Sequence, residues 1–185
     1  MPRPWQVRQS EVLLDRPWLR VEQQRIALPQ GGEIAEFHLC HEPEWATALP
    51  VLPDGRLVLV AQYRHGAGTV QWEFPGGNCD GDESPAETAI RELAEETGFK
   101  AAGPAQSLGT FLPNPARYRN RGHGFLVPVQ PLPGQPEPDA HEALRVHLLS
   151  AAAIHQAISD GRIAHAMHVA WFYRYCLQDR PLNGE

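Results

Sequence analysis

The stretch Gly77-Asn-Cys-Asp-Gly-Asp-Glu83-Ser84-Pro85-Ala-Glu87-Thr-Ala-Ile-Arg91-Glu92-Leu93-Ala-Glu95-Glu96-Thr-Gly98-Phe99 decides how the chain reads. Ser84 is a good N-cap, Pro85 suits the first helical position, and Glu87, three residues after the cap, completes a capping box. Gly98 is placed to end the helix in a left-handed turn. The spacing predicts a helix over 86–97. At 100° per residue, Ala86, Ile90, Leu93 and Thr97 fall on one stripe, which is expected to pack against a core.

A second stripe is acidic. Glu92 and Glu96 are four apart, with Glu95 beside them. Like charges at that spacing cost about 0.2–0.5 kcal/mol each on an isolated helix. Arg91 relieves part of this, but helix stability does not explain the clustering. Hard divalent cations such as Mg²⁺ and Mn²⁺ take converging carboxylate oxygens, and carboxylates one turn apart supply them. Two readings stand at this point: a solvated acidic face, or a row of metal ligands.

The rest of the composition narrows the classes. At 185 residues, 42% apolar and 21% charged, the chain reads as one globular domain with a sizeable core. A formal charge of −6 and the lack of any long basic run speak against general nucleic-acid binding. Cys40, Cys79 and Cys176 form neither a metal-ligand pattern nor an even disulfide set. No signal peptide opens the sequence, and no apolar run of about 18 residues spans a bilayer. The expectation is a cytoplasmic protein with no membrane partner. The nine histidines show no zinc spacing; His165 and His168, three apart, read as surface or packing residues. No nucleophile elbow supports acyl transfer.

In chain order, extended patterns over 18–28 and 33–41 flank Gln30-Gly31-Gly32 and read as a hairpin. Strands follow at 45–52 and 56–64, joined at Pro53-Asp54-Gly55, a strong turn signal. Leu57-Val-Leu-Val-Ala61 is apolar on both sides and reads as central. A short strand at 70–74 feeds Pro75-Gly76-Gly77. Further strands are expected at 106–111, 124–129 and 143–149, with a proline-rich connection over 130–139. Helices are expected at 150–160 and about 163–177, the second carrying Ile163, Met167, Ala170, Trp171 and Tyr175 as a core stripe. A mixed sheet with helices on both faces assembles these parts.

The opening stretch resembles the Nudix box, G-x5-E-x7-R-E-U-x-E-E-x-G-U, where U is a bulky apolar residue. Gly77, Glu83, Arg91, Glu92, Glu95, Glu96 and Gly98 match its fixed positions, and Leu93 and Phe99 its apolar slots. The resemblance implies an α/β fold, the Nudix α/β/α sandwich with a mixed sheet, preceded here by an N-terminal antiparallel strand region. Residues 1–44 would form that strand region, which is expected to serve dimerisation, and 45–185 the hydrolase domain. The implied activity is Mg²⁺- or Mn²⁺-dependent hydrolysis of a nucleoside diphosphate linked to another group. Within the family the chain is similar to ADP-ribose pyrophosphatases. Gln62-Tyr63-Arg64 precedes Trp72-Glu73-Phe74-Pro75-Gly76-Gly77 at a familiar separation, Pro115 lies sixteen residues beyond Phe99, and the segment from Glu142 to Leu149 before a helix is similar.

By that resemblance Glu92 and Glu96 are the principal metal ligands. Glu95 is a second-tier ligand or a residue holding Arg91, and Arg91 fixes the carboxylates together with Glu83. The Gly76-Gly77 turn lets the backbone approach the metal, and the carbonyl of Gly76 is a further ligand. Glu142 is a metal ligand or lies next to the catalytic base; its other reading is an ordinary exposed glutamate. Arg64 contacts phosphate or terminal ribose and Glu73 reads the nucleoside end, unless the two form a surface ion pair. The subgroup often has Glu-x-Glu where this chain has Ala140-His141-Glu142. Asp139 or His141 then substitutes, or the metal alone activates water. After Pro115 the chain also departs, with Arg117, Arg119 and Arg121 interleaved with Tyr118 and Asn120. These arginines clamp phosphate while Tyr118 stacks on a base or sugar, or they form a solvated basic loop.

The implied products are a nucleoside monophosphate and a sugar phosphate, the substrate a small nucleotide sugar, and the assembly a homodimer. GDP-mannose, other nucleotide sugars or nucleoside polyphosphates are alternative substrates. A non-catalytic module that binds nucleotide or RNA is the competing class. Such modules usually lose box carboxylates, and all four are present here.

Overall fold

The computed structural model describes residues 2–131 and 144–178. The chain divides into two units, one of Met1–Glu44 with Leu112–Arg121, the other of Trp45–Phe111 with Gly122–Glu185.

In the first unit, β1 (Gln6–Arg16), β2 (Leu19–Ala27) and β3 (Glu33–His41) form an antiparallel sheet in the order β1-β2-β3. The expected hairpin is β2–β3, its turn closed by the Gly31 N–H donating to Leu28 O at 3.1 Å. β1 is an addition to the expected strands. Register shifts between Val7 and Gln9 and between Val12 and Leu14 break its alternation, so no period of two survives in the sequence. The unit is discontinuous, because Leu112–Arg121 returns to the far edge of β3. There the Cys40 N–H donates to Arg117 O at 2.7 Å, and the Arg119 N–H donates to Cys40 O at 3.2 Å.

The second unit is built on one mixed sheet. Its elements are β4 (Trp45–Val51), β5 (Leu57–Arg64), β6 (Thr69–Glu73), β7 (Gly76–Asn78), α1 (Pro85–Thr97), β8 (Phe99–Ala101), β9 (Gln106–Phe111), β10 (Gly122–Pro131), β11 (Arg145–Leu149), α2 (Ala151–Ser159) and α3 (Ala166–Leu177). The strand order is β11-β5-β4-β10-β8, with β6 on β5, β7 on β4 and β9 on β10. β4 and β10 run parallel; the other pairs are antiparallel.

Alternation explains how both sheet faces are buried. Leu49, Leu57 and Leu59 join a core with Phe74, Ile154, Ile163, Met167, Trp171 and Phe172, under α2 and α3. Ala46, Ala48 and Val58 join a second core with Ala89, Leu93, Phe99 and Val127, under α1. This is the α/β/α sandwich expected from sequence. Alanines at 46, 48 and 89 let α1 lie close on the strands. The apolar stripe of α1 is rotated from the expected one: Thr88, Ala89, Leu93 and Thr97 are buried, whereas Ala86 and Ile90 are only half-buried. Thr88 explains part of the shift, since its hydroxyl finds a partner in Glu83 at 2.9 Å and tolerates burial.

The turn at Pro53-Asp54-Gly55 does not make a long hairpin. β4 and β5 pair at Val51 and Leu57, then diverge. Segment 69–78 fills the gap, pairing first with β5 (Glu73 opposite Val60) and then with β4 (Gly76 opposite Thr47). Gly76-Gly77, expected as a turn, is therefore a short strand. The divergence delivers Glu73 and Gly76, three residues apart, to the ground beneath α1.

Candidate active site

α1 carries the acidic residues, and its ends are fixed as the sequence requires. Ser84 accepts the Glu87 N–H and Glu87 accepts the Ser84 N–H, a complete capping box; Gly98 stops the helix at φ 69°. Arg91 is the hub of the solvent side. Its Nε donates to Glu83 Oε1 at 3.1 Å, Nη2 to Glu83 Oε2 at 3.1 Å, and Nη1 to Glu92 at 2.8 Å and Glu95 at 3.1 Å. Arg91 holds the Glu83 carboxyl below the usual carboxylate range, with help from the Thr88 hydroxyl. One guanidinium thus spaces three of the four box carboxylates. Glu95 is the outermost of them, 60% exposed.

Glu96 is different. It is held on the inner side of the helix, where its Oε2 accepts the Gly76 N–H at 3.0 Å. Burial pushes its carboxyl up to about 7 against the pull of that hydrogen bond, and the charges of Glu92 and Glu73 push the same way. Arg64 offsets some of this through space, but no cation touches Glu96 among the described residues. Gly77 closes the site from below. A Cβ there would lie 2.2 Å from Glu92 Oε1, so the glycine gives the Glu92 carboxylate its room. At Gly76 a Cβ would lie 2.3 Å from Ala46 O, which the β7–β4 pairing does not allow.

Among the described residues, no three His, Cys, Asp or Glu side chains converge closely enough to hold a metal by themselves. Glu92 and Glu96 nevertheless fit a hard divalent cation: two carboxylates one helical turn apart, Glu96 half-buried and Glu92 held by Arg91, with oxygen donors of the kind such a cation takes. Gly76 presents its N–H to Glu96 here.

The other expected residues fall as follows. Arg64 and Glu73 are paired with each other, Nε to Oε2 at 2.9 Å with a second, shorter contact from Nη2. The ion-pair reading describes their geometry, yet the pair is not superficial: Glu73 is buried, at 3% exposure. Arg117 and Arg119 lie on segment 112–121 of the first unit. Glu142, Asp139 and His141 lie outside the described residues. Beneath the site, His168 is a packing residue, as one of its two sequence readings had it, but its hydrogen bond to Phe74 was not legible. It is buried, its Nδ1 accepts the Phe74 N–H at 3.0 Å, and Trp45 stacks on its ring at 5.8 Å while meeting the His165 ring edge-on at 5.3 Å. Burial holds the His168 imidazole well below its ordinary pKa, hence neutral and able to accept. No local signal marks a contact across 94 residues.

The NUDIX domain profile matches residues 42–172. The chain is 34% identical over 134 residues to a CMP-5'-(N-acetyl-N-hydroxy-3-aminopropyl)phosphonate hydrolase of Streptomyces rubellomurinus, covering 71% of this chain and 63% of that protein. It is 33% identical over 76 residues to an ADP-ribose pyrophosphatase of Bacillus subtilis (41% and 40% covered) and 35% identical over 95 residues to one of Mycobacterium tuberculosis (50% and 45% covered). The matches thus span less than two thirds of these relatives' own lengths. A solved structure of an ADP compounds hydrolase superposes with a TM-score of 0.81 over 98% of this chain and 99% of that one, at 22% identity, a likeness of fold. The box geometry and the sandwich define a Nudix-type protein. The chain belongs to the NUDIX family.

Proposed function

We propose that the chain is a Nudix hydrolase, dependent on Mg²⁺ or Mn²⁺, that cleaves the diphosphate of an ADP-ribose-like nucleotide sugar to a nucleoside monophosphate and a sugar phosphate. The observation that carries this reading is the pairing of Glu96, half-buried and pushed up to about 7, with Glu92, whose carboxylate Arg91 and Gly77 hold in place. Structural carboxylates are usually arranged to lose charge repulsion; these accumulate it where a helix meets two diverging strands. The relatives named for ADP-ribose favour that substrate class.

A bound divalent cation supplies charge neutralisation of the diphosphate and activation of a water. Glu92 and Glu96 would hold it, with Glu95 and Glu142 as further candidate ligands and the Gly76 backbone adjoining. Arg91 keeps Glu92 and Glu95 from turning away, and Glu83 keeps Arg91 in register. Gly76 N–H holds the Glu96 carboxyl at a fixed height above β7. Arg64, tied to Glu73, leaves part of its fork exposed for phosphate, while Arg117 and Arg119 are the other proposed substrate contacts.

A second reading concerns the nucleotide. The Streptomyces relative is named for a CMP-linked phosphonate and matches more of this chain than the pyrophosphatases quoted above. CMP-linked compounds therefore belong beside ADP-ribose, GDP-mannose and nucleoside triphosphates in a hydrolysis screen with Mg²⁺ and Mn²⁺. The expected result is turnover of a diphosphate-linked compound that Glu96→Gln lowers by about 10²-fold or more with the fold retained. Near-normal turnover by that variant would remove Glu96 from the site.

Two wider expectations belong to the same proposal. The protein acts in the cytoplasm, a placement supported by Cys40, Cys79 and Cys176 forming no disulfide among the described residues; among the described residues no helix is long and apolar enough to cross a membrane. It works as a homodimer, supported by β1, an edge strand with Val7, Val12 and Leu13 exposed.

A further inference from the structure

The connection between α2 and α3 is fastened along β6, the strand that carries Glu73. The Trp72 N–H donates to Arg162 O at 2.8 Å, and the Ala164 N–H donates to Gln71 Oε1 at 3.2 Å. The Arg162 guanidinium lies over the Trp72 ring, 4.6 Å from its centre, and pairs with Asp160 at 2.7 Å. The next residue after Ala164 is His165, the N-cap of α3, whose Nδ1 accepts the Met167 N–H at 3.3 Å. Trp45 meets the His165 ring edge-on at 5.3 Å, and the His168 ring lies 4.6 Å away. His168 in turn takes the Phe74 N–H, one residue past Glu73. The His165 ring is thus fixed at the end of β6 where Glu73 holds Arg64.

A ring nitrogen that accepts an N–H carries no proton of its own. The neutral imidazole therefore has its hydrogen on Nε2, which points away from α3. Crowding by its neighbours lowers the pKa of the ring, while Glu73 pulls it up and Arg64 pushes it down through space. At pH 7 the ring is neutral. Packed on one side, His165 is still exposed. A helix cap needs a single acceptor, which Asn, Asp or Ser supplies; an imidazole adds a second, outward-facing donor. Glu96 adjoins the same ground. It accepts the N–H of Gly76, three residues past Glu73, and it feels the charges of Arg64 and Glu73.

We propose that His165 is a further substrate-contacting residue of this site, its Nε2–H donating to an oxygen of the diphosphate that Arg64 contacts. The inference rests on the reading above that the chain handles diphosphate-linked nucleotides. A neutral donor gives direction without adding charge beside Arg64, and its contact forms as soon as the substrate binds. Its contribution therefore falls on substrate affinity and not on the chemical step.

The experiment compares wild type with His165→Asn and His165→Ala. Asn keeps a capping acceptor for the Met167 N–H and lacks the outward donor; Ala lacks both. Binding of ADP-ribose is measured by calorimetry in EDTA, where no metal-dependent turnover consumes it, and steady-state kinetics follow with Mg²⁺. His165→Asn should bind ADP-ribose about tenfold more weakly than wild type, at an unchanged thermal midpoint. With Mg²⁺ its KM should rise by a similar factor while kcat stays within about twofold. His165→Ala should lose the same affinity and a few degrees of thermal midpoint besides. If His165→Asn misfolds by circular dichroism, His165→Ser, another capping residue, is read in its place. Wild-type affinity and KM in the capped variant would reduce His165 to a helix cap and overturn the proposal. A wild type that does not bind ADP-ribose would overturn it as well. A wild type that binds but hydrolyses nothing with Mg²⁺ would sink the hydrolase reading, and the calorimetric comparison would still decide His165.

Discussion

Glu96 concentrates the electrostatics of the site in one carboxyl. In the unfolded chain it ionises near 4.5, and in the folded protein near 7. Below pH 4.5 both states hold the proton and stability is unaffected by it. Between 4.5 and 7 the unfolded chain releases the proton while the folded one keeps it, so stability falls as pH rises. The loss, about 3 kcal/mol, is complete just above pH 7. In EDTA, chemical denaturation should therefore find Glu96→Gln more stable than wild type at pH 8 and no more stable at pH 4.5. Added Mg²⁺ should close the gap at pH 8 by stabilising wild type alone. A gap that does not change with pH would remove the buried-charge account. The glutamate was visible in the sequence by its place in the box. Its burial was not, because that depends on β7 arriving beneath it.

At the scale of the element, α1 and β7 act as one device. The helix was legible because its caps are local: Ser84, Pro85, Glu87 and Gly98 act within four residues of the bonds they make or break. β7 was not legible, since a three-residue strand exists only through its pairing with β4. Gly77 joins the two, with the Glu92 carboxylate lying where its Cβ would be. Gly77→Ala should displace that carboxylate, a movable side-chain end, and leave the fold close to intact. The expected outcome is a midpoint for Mg²⁺ activation raised about tenfold, with a thermal midpoint within a few degrees of wild type. A variant with unchanged metal dependence would show that Glu92 has room to spare.

For the whole molecule, the exposed edge of β1 is the open question of assembly. Val7, Val12 and Leu13 are about half exposed on a strand whose outer backbone groups have no partner strand among the described residues. Sedimentation should give the mass of two 20.6 kDa chains, and Leu13→Lys with Val7→Lys should shift it toward one. A wild-type protein that sediments as a single chain would refute the proposed homodimer.

Read alone, the chain already determined its α1 helix, the box carboxylates, the hairpin β2–β3 and the two-faced sheet, because caps, turns and hydrophobic periods act over a few residues. Tertiary structure decided the rest: the bulged β1, the split of β4 from β5, the Arg64 pair with buried Glu73, His168 beneath Phe74, and the return of residues 112–121 to β3. The last two join segments far apart in sequence, and the others turn on bulges, strand divergence and burial that exist only once the sheets assemble, so their free energy appears only on folding.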